Sequence, residues 1–285
     1  MIVDGKKIIV SDKTVKIAMI ENEWFEDIES PELLINSLQR SKLKADIFTF
    51  WQRLPESKPK YNYHMEWDNV AALKISSFDN WWNKQIDAKT RNVTRKAEKK
   101  GVVIKVSEFN DEFVWGIKDI FDETPIRQDK PFWHYRKDFE TIKCEMSDRL
   151  DTAEWIGAYY NNDLIGFIKM LYAGQYAMTV EILSMIAHRD KAPTNALMAK
   201  AVEICDKKHI PYLVYAKWPR GTLADFKSNN GFEKVDLPRY YIPLTLKGKV
   251  ALKLNVHHGM KGIIPEKLML RLIDLRKSWY SRRPH

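Results

Sequence analysis

Two charged residues, one of them within an apolar run, have the side chains needed for acid–base chemistry. Glu181 lies in an apolar run from Thr179 to Met185, and Lys227 lies just before Gly231. Partial burial would raise the pKa of the carboxyl toward neutrality. Acyl transfer to an amine needs a group that takes a proton and a cation near the developing oxyanion. We expect Glu181 to be the base, with a structural ion pair or a solvated strand face as the alternative.

The residues after this run predict an anion site. Pro193, Thr194 and Asn195 occur where a helix should begin after the strand, and Arg189 and Lys191 precede them. A strand that leads into a helix N-terminus presents free backbone N–H groups to an anion. Four residues are therefore expected to bind the anionic part of a donor: Arg189, Lys191, Thr194 and Asn195.

A loop from Glu123 to Tyr135 combines prolines with aromatic and basic residues. Arg127 and His134 could hold an anion, and Trp133 could stack on a ring. We expect these three residues to contribute to acceptor binding. A hydrophobic contact between two parts of the fold explains the aromatic residues equally well.

Two segments resemble a known family. The chain from Glu181 to Pro243 ends in Phe226-Lys227-Ser228-Asn229-Asn230-Gly231-Phe232 and Pro238-Arg239-Tyr240-Tyr241-Ile242-Pro243, and an earlier segment runs from Lys89 to Val102. Together they resemble the GNAT superfamily, and within it the Fem-type aminoacyltransferases that build peptidoglycan cross-bridges. The resemblance covers roughly residues 70–245. It implies two GNAT-like halves, a charge-stabilising role for Lys227, and a proton-donating tyrosine at Tyr240 or Tyr241, of which Tyr240 is the candidate.

The donor is left open between two molecules. GNAT enzymes that use coenzyme A carry a glycine-rich loop, whereas this chain has Arg189-Asp190-Lys191-Ala192-Pro193-Thr194 without glycine. Glycine lets the backbone approach a pyrophosphate closely, so its absence weakens acetyl-CoA as the donor. The Fem-type resemblance implies aminoacyl-tRNA instead. No tightly bound cofactor is expected, and the transfer is expected to be direct, because no Cys or Ser is in a recognisable nucleophile arrangement.

The predicted elements form a mixed α/β fold with mainly antiparallel sheets flanked by helices. We expect an N-terminal half (1–106), an acyltransferase half (107–246) and a basic extension (247–285). Among the elements are strands Tyr61–Trp67 and Val70–Ser76, a long helix from Ser77 to Gly101 and a helix from Arg136 to Leu150.

Positive charge is concentrated at the end of the chain. The 285 residues carry a net charge of +9. From Lys247 onward, ten Lys and Arg against Glu266 and Asp274 give +8, which predicts one anionic contact. Leucines spaced along 266–279 predict a basic amphipathic helix that packs on the body, rests on an anionic membrane surface or lies along RNA. The expected nucleic-acid contacts are Arg271 and Arg276 on this helix and Arg91, Arg95 and Lys99 on the long helix, where a solvated face is the alternative.

Other classes of site are not expected. No apolar run is long enough to span a bilayer, and the N-terminus lacks a signal-peptide pattern, which predicts a cytoplasmic protein. Cys144 and Cys205 lack metal or redox spacing. His257 and His258 have no acidic or cysteine partner nearby in sequence, so no metal site is expected.

The sequence thus favours a Fem-like acyltransferase that acts on an amine or hydroxyl acceptor. An acetyl-CoA-dependent N-acetyltransferase is the enzymatic alternative. A catalytically silent nucleic-acid-binding protein on the same scaffold is the alternative from another class. Under the favoured hypothesis, Lys227→Ala should abolish turnover and leave the fold intact.

Overall fold

The computed structural model describes residues 1–128 and 130–259. The strands are β1 (Ile2–Val3), β2 (Lys6–Val10), β3 (Ile17–Ile20), β4 (Ile47–Trp51), β5 (His64–Lys74), β6 (Val103–Ser107), β7 (Ile126–Arg127), β8 (Lys130–Pro131), β9 (Ala153–Tyr160), β10 (Asp163–Ala173), β11 (Tyr176–Ser184), β12 (Tyr212–Val214) and β13 (Glu233–Pro243). The helices are α1 (Pro31–Arg40), α2 (Phe78–Asn80), α3 (Ala88–Lys99), α4 (Asp111–Asp122), α5 (Phe139–Met146), α6 (Pro193–Lys207), α7 (Thr222–Asn229) and α8 (Leu246–Lys253). The expected mixed α/β class is confirmed.

The chain folds into two compact units. One combines Met1–Asp68 with the described residues from Asp236 on, and the other is Asn69–Val235. These bounds differ from the halves expected at 1–106 and 107–246. The difference arises because the chain leaves the first unit within β5 and returns to it within β13, so the first unit is built from both ends of the sequence.

The first unit contains the strand order β1-β2-β3-β4-β13, in which only β3 and β4 are parallel. Helix α1 begins with Pro31 in its first turn, a position that favours proline, and buries Leu34, Ile35 and Leu38. These side chains join a core with Phe48, Phe50 and other apolar strand residues. Burial of this apolar face holds the helix in place.

The second unit contains the order β5-β12-β11-β10-β9-β6, in which only β11 and β12 are parallel. Strand β10 is buried along most of its length. Ile168 and Met170 pack in the cluster that contains the buried side of α6. Phe167 packs in a separate cluster with α4. The strand is therefore covered on both faces, which explains its nearly continuous apolar sequence.

The prediction of two strands at Tyr61–Trp67 and Val70–Ser76 was wrong, because β5 runs unbroken across the polar pair between them. Asp68 accepts a hydrogen bond from Nε of Arg239 at 2.9 Å. Asn69 accepts one from the backbone N–H of Trp218 at 3.0 Å. Both side chains are occupied by distant partners, so neither forms the local turn that the sequence pattern indicates.

The single long helix predicted from Ser77 to Gly101 was also wrong. Ser77 caps a helix by accepting from Asn80 N at 3.0 Å, as expected. A π-helical segment (Trp81–Gln85) follows α2, and Ile86 then adopts an extended conformation. Asp87 caps the new helix α3 through the Thr90 N–H at 2.7 Å. A strong N-cap residue inside a helical pattern thus starts a second helix.

Helix α5 is shorter than the predicted range from Arg136 to Leu150. Arg136 and Arg149 both have a left-handed φ of 59°. Asp138 caps the helix by accepting from Thr141 N at 2.9 Å. The local caps and left-handed residues confine the helix to Phe139–Met146.

In the part of the chain that the structure describes, no helix is both long and apolar enough to cross a bilayer. The predicted basic helix from Glu266, with Arg271 and Arg276, lies outside the described residues.

Candidate active site

Strand β11 presents Glu181 at an irregularity of the sheet. The ladder with β10 joins Met170 to Thr179 and Lys169 to Glu181, so Val180 is an extra residue on β11. A bulge of this kind bends its strand and redirects the neighbouring side chain. Glu181 is consequently the direct cross-strand partner of Lys169.

Strands β11 and β12 separate just before Glu181. Their parallel pairing joins residues 176–178 to 212–214 only. The Thr179 hydroxyl then donates to the Val214 carbonyl at 3.3 Å. Two residues after the end of β12, Ala216 has a left-handed φ of 50°. In the described parts of the chain, the end of β11 that carries Glu181 therefore has no strand paired on its β12 side.

In the described chain, Glu181 is a partly buried carboxyl without a direct protein partner. Burial raises its pKa to about 7, although the charges of Lys169 and Arg127 act in the opposite direction. Among the described residues, none forms a hydrogen bond or an ion pair with its carboxylate. A carboxyl with a pKa near neutrality can both accept and release a proton at physiological pH, which is the requirement for a general base.

Lys169 supplies a fixed positive charge to this region. Its side chain is buried, and its ammonium donates to the carbonyls of Met146 at 2.7 Å and Asp148 at 2.8 Å. Burial lowers the pKa of Lys169, whereas Asp148 and Glu181 raise it. No ion pair between Lys169 and Glu181 is found among the described residues, so Lys169 acts on Glu181 through its charge.

Arg127, expected to bind the acceptor, instead holds its own loop to the end of β11. It donates to the carbonyls of Ser184 and Ile120 and to Oε2 of Glu123, each at 3.0 Å. Glu123 also accepts from the backbone N–H of Ile186 at 2.7 Å. Burial lowers the pKa of Arg127, and the charges of Glu123 and Glu181 raise it. Arg127 therefore fixes the loop beside Glu181.

Lys227 is almost fully buried, with 1% of its surface exposed. Its ammonium donates to the carbonyl of Lys217 at 3.0 Å and to that of Tyr215, and it lies 4.1 Å from the centre of the Tyr215 ring. Burial lowers the pKa of Lys227 to about 8. An ammonium has three N–H groups, so one remains without a hydrogen-bond partner among the described residues.

Tyr215 interacts with both Glu181 and Lys227. Burial raises the pKa of Tyr215, and the negative charge of Glu181 raises it further. The other side of the connection is the Lys227 ammonium over the ring. Both candidates thus interact with one tyrosine that the sequence did not indicate, whereas neither candidate's charge contributes to the pKa shift of the other.

Tyr240, the expected proton donor, is placed in the core of the first unit. It is fully buried, and its hydroxyl donates to Oε1 of Gln52. The same hydroxyl accepts from the backbone N–H of Lys60 at 2.9 Å and of Tyr61 at 3.3 Å. All hydrogen-bonding positions of the hydroxyl are used, so this residue serves packing in the described structure.

The four residues expected at the donor surround the start of α6. The Thr194 hydroxyl is 2.8 Å from that of Ser184 at the end of β11. Lys191 is 3.3 Å from Asp190 and lies 4.7 Å from the centre of the Tyr160 ring. Arg189 is exposed, and Asn195 is partly buried. Thr194 and Lys191 thus have protein partners, whereas the Arg189 side chain faces solvent.

The backbone at this helix end offers few free donors. Ala192 has a left-handed φ of 55°, and its N–H bonds to the Arg189 carbonyl at 3.0 Å. Pro193 at the first helical position has no N–H. Of the four N–H groups that a helix leaves without intrahelical acceptors, only those of Thr194 and Asn195 remain for an anion.

The two other acceptor candidates differ in accessibility. Trp133 is 68% exposed, and the Lys137 ammonium lies 3.8 Å from its ring centre. His134 is 1% exposed and stacks on Phe121 with ring centres 4.1 Å apart. Burial lowers the pKa of His134 to about 4, so the ring is neutral. Trp133 can meet a ligand, whereas His134 is a core residue.

The basic residues of α3 have unequal roles. Arg91 donates to the carbonyls of Trp82 at 2.9 Å and Ile86 at 2.6 Å. These bonds hold the residues that precede α3 against the start of that helix. The Arg95 guanidinium lies 5.2 Å from the Trp82 ring centre, and Arg95 and Lys99 are exposed. A phosphate contact by this stripe would depend on Arg95 and Lys99.

A cavity of about 730 Å³ in the second unit does not contain Glu181 or Lys227. It is lined by β6, α4 and the ends of β9 and β10, and Met185 and His188 reach it from beyond β11. Its size alone does not identify a site. The candidate chemistry lies instead at Glu181, where an unpaired carboxyl, a bulge and a strand separation coincide.

Lys169 and Tyr215 are the site residues that sequence analysis missed. The signal for Lys169 is a single lysine within the apolar run Leu164–Leu171, opposite the run that holds Glu181. Such an isolated charge in a buried strand indicates a paired or functional residue. Tyr215 gives no local signal, because its position beside Lys227 depends on the tertiary fold.

Comparison with solved structures identifies the fold. FemX aligns with 86% of this chain and 85% of its own, at 9% identity and a TM-score of 0.57. L-PGS from Bacillus licheniformis aligns over 87% and 85%, at 14% identity and a TM-score of 0.57. The C-terminal domain of a putative lysylphosphatidylglycerol synthetase from Agrobacterium fabrum aligns over 89% and 86%, at 11% identity and a TM-score of 0.56.

No protein-family model matches the chain, and no curated protein matches it by sequence. The likeness therefore comes from structure, and it extends over more than four fifths of the chain. The resemblance to Fem-type proteins inferred from two sequence segments is confirmed at the level of the fold. The chain has the fold that FemX and L-PGS share.

Proposed function

We propose that this protein is an acyltransferase that moves an aminoacyl group from tRNA to an amine or hydroxyl of an acceptor. The observation that supports it most is Glu181: a carboxyl with no protein partner in the described chain, a pKa raised to about 7, and a position where β11 has separated from β12. The likeness of the fold to FemX adds support, because an acyltransferase needs a base of this kind.

In the proposed reaction, the acceptor nitrogen or oxygen attacks the acyl carbon directly. A new C–N or C–O bond forms, the proton of the nucleophile moves to Glu181, and the ester bond to the tRNA ribose breaks as Glu181 passes that proton to the departing ribose oxygen. The free N–H of Lys227 stabilises the negative charge that develops on the carbonyl oxygen. An acyl-enzyme on Cys205 is disfavoured, because burial raises the pKa of that thiol to about 12.

The start of α6 favours tRNA over coenzyme A as the donor. A pyrophosphate needs several convergent backbone N–H groups, and this end offers two, those of Thr194 and Asn195. Arg189 and Lys191 bring positive charge to the same place. An aminoacyl-tRNA depends less on this helix end, because its phosphates can also contact Arg95 and Lys99.

The acceptor is proposed only as a chemical class, a molecule with an amine or a hydroxyl group. We propose that Trp133 contacts it and that Arg127 and His134 shape the loop from inside. A lipid hydroxyl is one acceptor of the right kind, as the name lysylphosphatidylglycerol synthetase of a structural neighbour illustrates. That choice would place the protein at an anionic membrane surface on the cytoplasmic side, with the basic segment from Lys247 as its contact.

Donor choice is tested by measuring binding of both molecules to the purified protein. We expect calorimetry with coenzyme A to show no micromolar binding, and filter retention of radiolabelled aminoacyl-tRNA to show binding that weakens steeply with salt. Arg189→Ala should weaken tRNA retention several-fold. The matched control Arg40→Ala, at the exposed end of α1, should leave it unchanged.

Other outcomes point to the alternatives. Micromolar coenzyme A binding without tRNA retention would replace the tRNA donor with acetyl-CoA. RNA retention that survives the loss of both Glu181 and Lys227, with no transfer of the labelled group to any acceptor in a cell extract, would indicate a nucleic-acid-binding protein without catalysis.

A further inference from the structure

Three histidines surround one carboxylate in the first unit. His64 and Glu66 are two residues apart on β5, and His257 and His258 follow α8. The Nε2 atom of His257 is 2.8 Å from Oε1 of Glu66, and that of His64 is 3.3 Å from the same oxygen. The Nε2 atom of His258 is 2.6 Å from Oε2. All three rings thus direct the same type of nitrogen toward Glu66.

The spacing of these atoms fits a small metal ion. One ligand atom from each of His64, Glu66 and His257 can be chosen so that all lie within 4.8 Å of one another. Zinc bonds to histidine nitrogen and carboxylate oxygen are about 2.0–2.2 Å long, so neighbouring ligands of a tetrahedral ion are roughly 3.4 Å apart. Small movements of the side chains would bring the cluster to that geometry.

The surroundings of the cluster suit metal binding. His257 is 1% exposed, and burial favours the neutral ring that binds a metal. Its ring centre is 4.9 Å from that of Tyr241, which limits its orientation. Its Nδ1 is buried and has no hydrogen-bond partner in the described structure, so the ring is held by hydrogen bonding only through Nε2 and Glu66. His257 also lines a cavity of about 550 Å³, which does not include His64, Glu66 or His258.

We propose that His64, Glu66, His257 and His258 bind one divalent transition-metal ion of the zinc class. His64, Glu66 and His257 have the spacing of metal ligands, and His258, which contacts the other oxygen of Glu66, would turn toward the ion to complete four ligands and close the site, as in structural zinc sites. The ion would tie the segment after α8 to β5. The sequence alone predicts no metal here, because Glu66 is 191 positions from His257 and no local spacing pattern reveals it. This proposal is independent of the acyl-transfer reaction.

The test uses the full chain without an affinity tag, after removal of metals with a chelator. Calorimetry should show one Zn²⁺ bound per chain, and Co²⁺ should give the visible absorption of a tetrahedral site. Removing a ligand should weaken Zn²⁺ binding by at least about tenfold. His64→Ala and His258→Ala are the main variants, because both side chains are partly exposed and their loss should not prevent folding.

The matched control is His209→Asn, at an exposed position with a left-handed φ of 54° that Asn tolerates. It should bind Zn²⁺ as the unaltered protein does. Zn²⁺ should also raise the melting temperature of the unaltered protein but not that of Glu66→Gln. Absence of stoichiometric binding, or binding that persists equally in His64→Ala and His258→Ala, would overturn the proposal.

Discussion

Replacement of Glu181 by glutamine is expected to reduce acyl transfer by about 10²- to 10⁴-fold, which is the usual contribution of a general base. The amide has nearly the same shape but cannot take the proton of the nucleophile. The rate of transfer of a labelled acyl group from the donor measures the effect. In the unaltered protein, kcat/KM should rise with pH through about 7, where the base ionises.

The same substitution is expected to stabilise the protein at alkaline pH. The pKa of Glu181 is raised from 4.5 to about 7 on folding, so the folded state binds more protons than the unfolded state between these values. Stability therefore falls as pH rises through this window, by at most about 3 kcal/mol. Chemical denaturation should show Glu181→Gln more stable than the unaltered protein at pH 8 and nearly equal to it at pH 5.

A partnered carboxylate provides the matched control for this prediction. Glu154 on β9 accepts from the Tyr172 hydroxyl and lies 3.0 Å from the Lys208 ammonium. Glu154→Gln should lower stability and leave transfer within a few-fold of normal. If Glu181→Gln behaves in the same way, Glu181 belongs to a structural ion pair and is not the base.

Replacement of Lys227 by methionine is expected to lower both stability and activity. The carbonyls of Tyr215 and Lys217 would lose their buried donor, at a cost of about 1–3 kcal/mol each. The structure thus changes the sequence-based expectation that Lys227→Ala leaves the fold intact. Denaturation in urea at pH 7 measures the stability loss, and transfer by the remaining folded protein measures the catalytic loss.

The pH dependence gives this prediction a second readout. Burial lowers the pKa of Lys227 from 10.5 to about 8, so between these values the unfolded state binds more protons. The stability contributed by Lys227 should therefore rise with pH across this range, and Lys227→Met should lack that rise. Lys200→Met, at a surface ion pair on α6, is the control and should change stability by less than about 0.5 kcal/mol. Full stability in Lys227→Met would contradict the bonding seen here.

The sequence predicts elements well where local signals decide them. Strand β4 coincides with an aromatic run, and helix α4 begins after an Asn cap; both signals can be read directly from the sequence. Prediction from the sequence fails where contacts with residues far along the chain determine the structure. Asp68 pairs with Arg239, and β5 continues through a sequence that resembles a turn. The break at Asp87 shows the reverse case, in which a local cap overrides a long helical pattern.

The candidate site shows the same division. An acidic residue in an apolar strand was sufficient to predict that Glu181 has a raised pKa. The carbonyls that hold Lys227, the core position of Tyr240 and the inward bonds of Arg127 depend on contacts between segments far apart in sequence. Those contacts also decide which predicted residues can meet a ligand, and no pattern along the chain encodes them.

The central claim is that Glu181 is an unpaired carboxyl poised to act as a base, and its pKa can be measured without a substrate. Carbon-13 NMR of protein labelled at glutamate side-chain carboxyls follows each titration, and Glu181→Gln identifies the signal of interest. We expect that signal to titrate near pH 7. A titration at or below the ordinary value of about 4.5 would contradict the account.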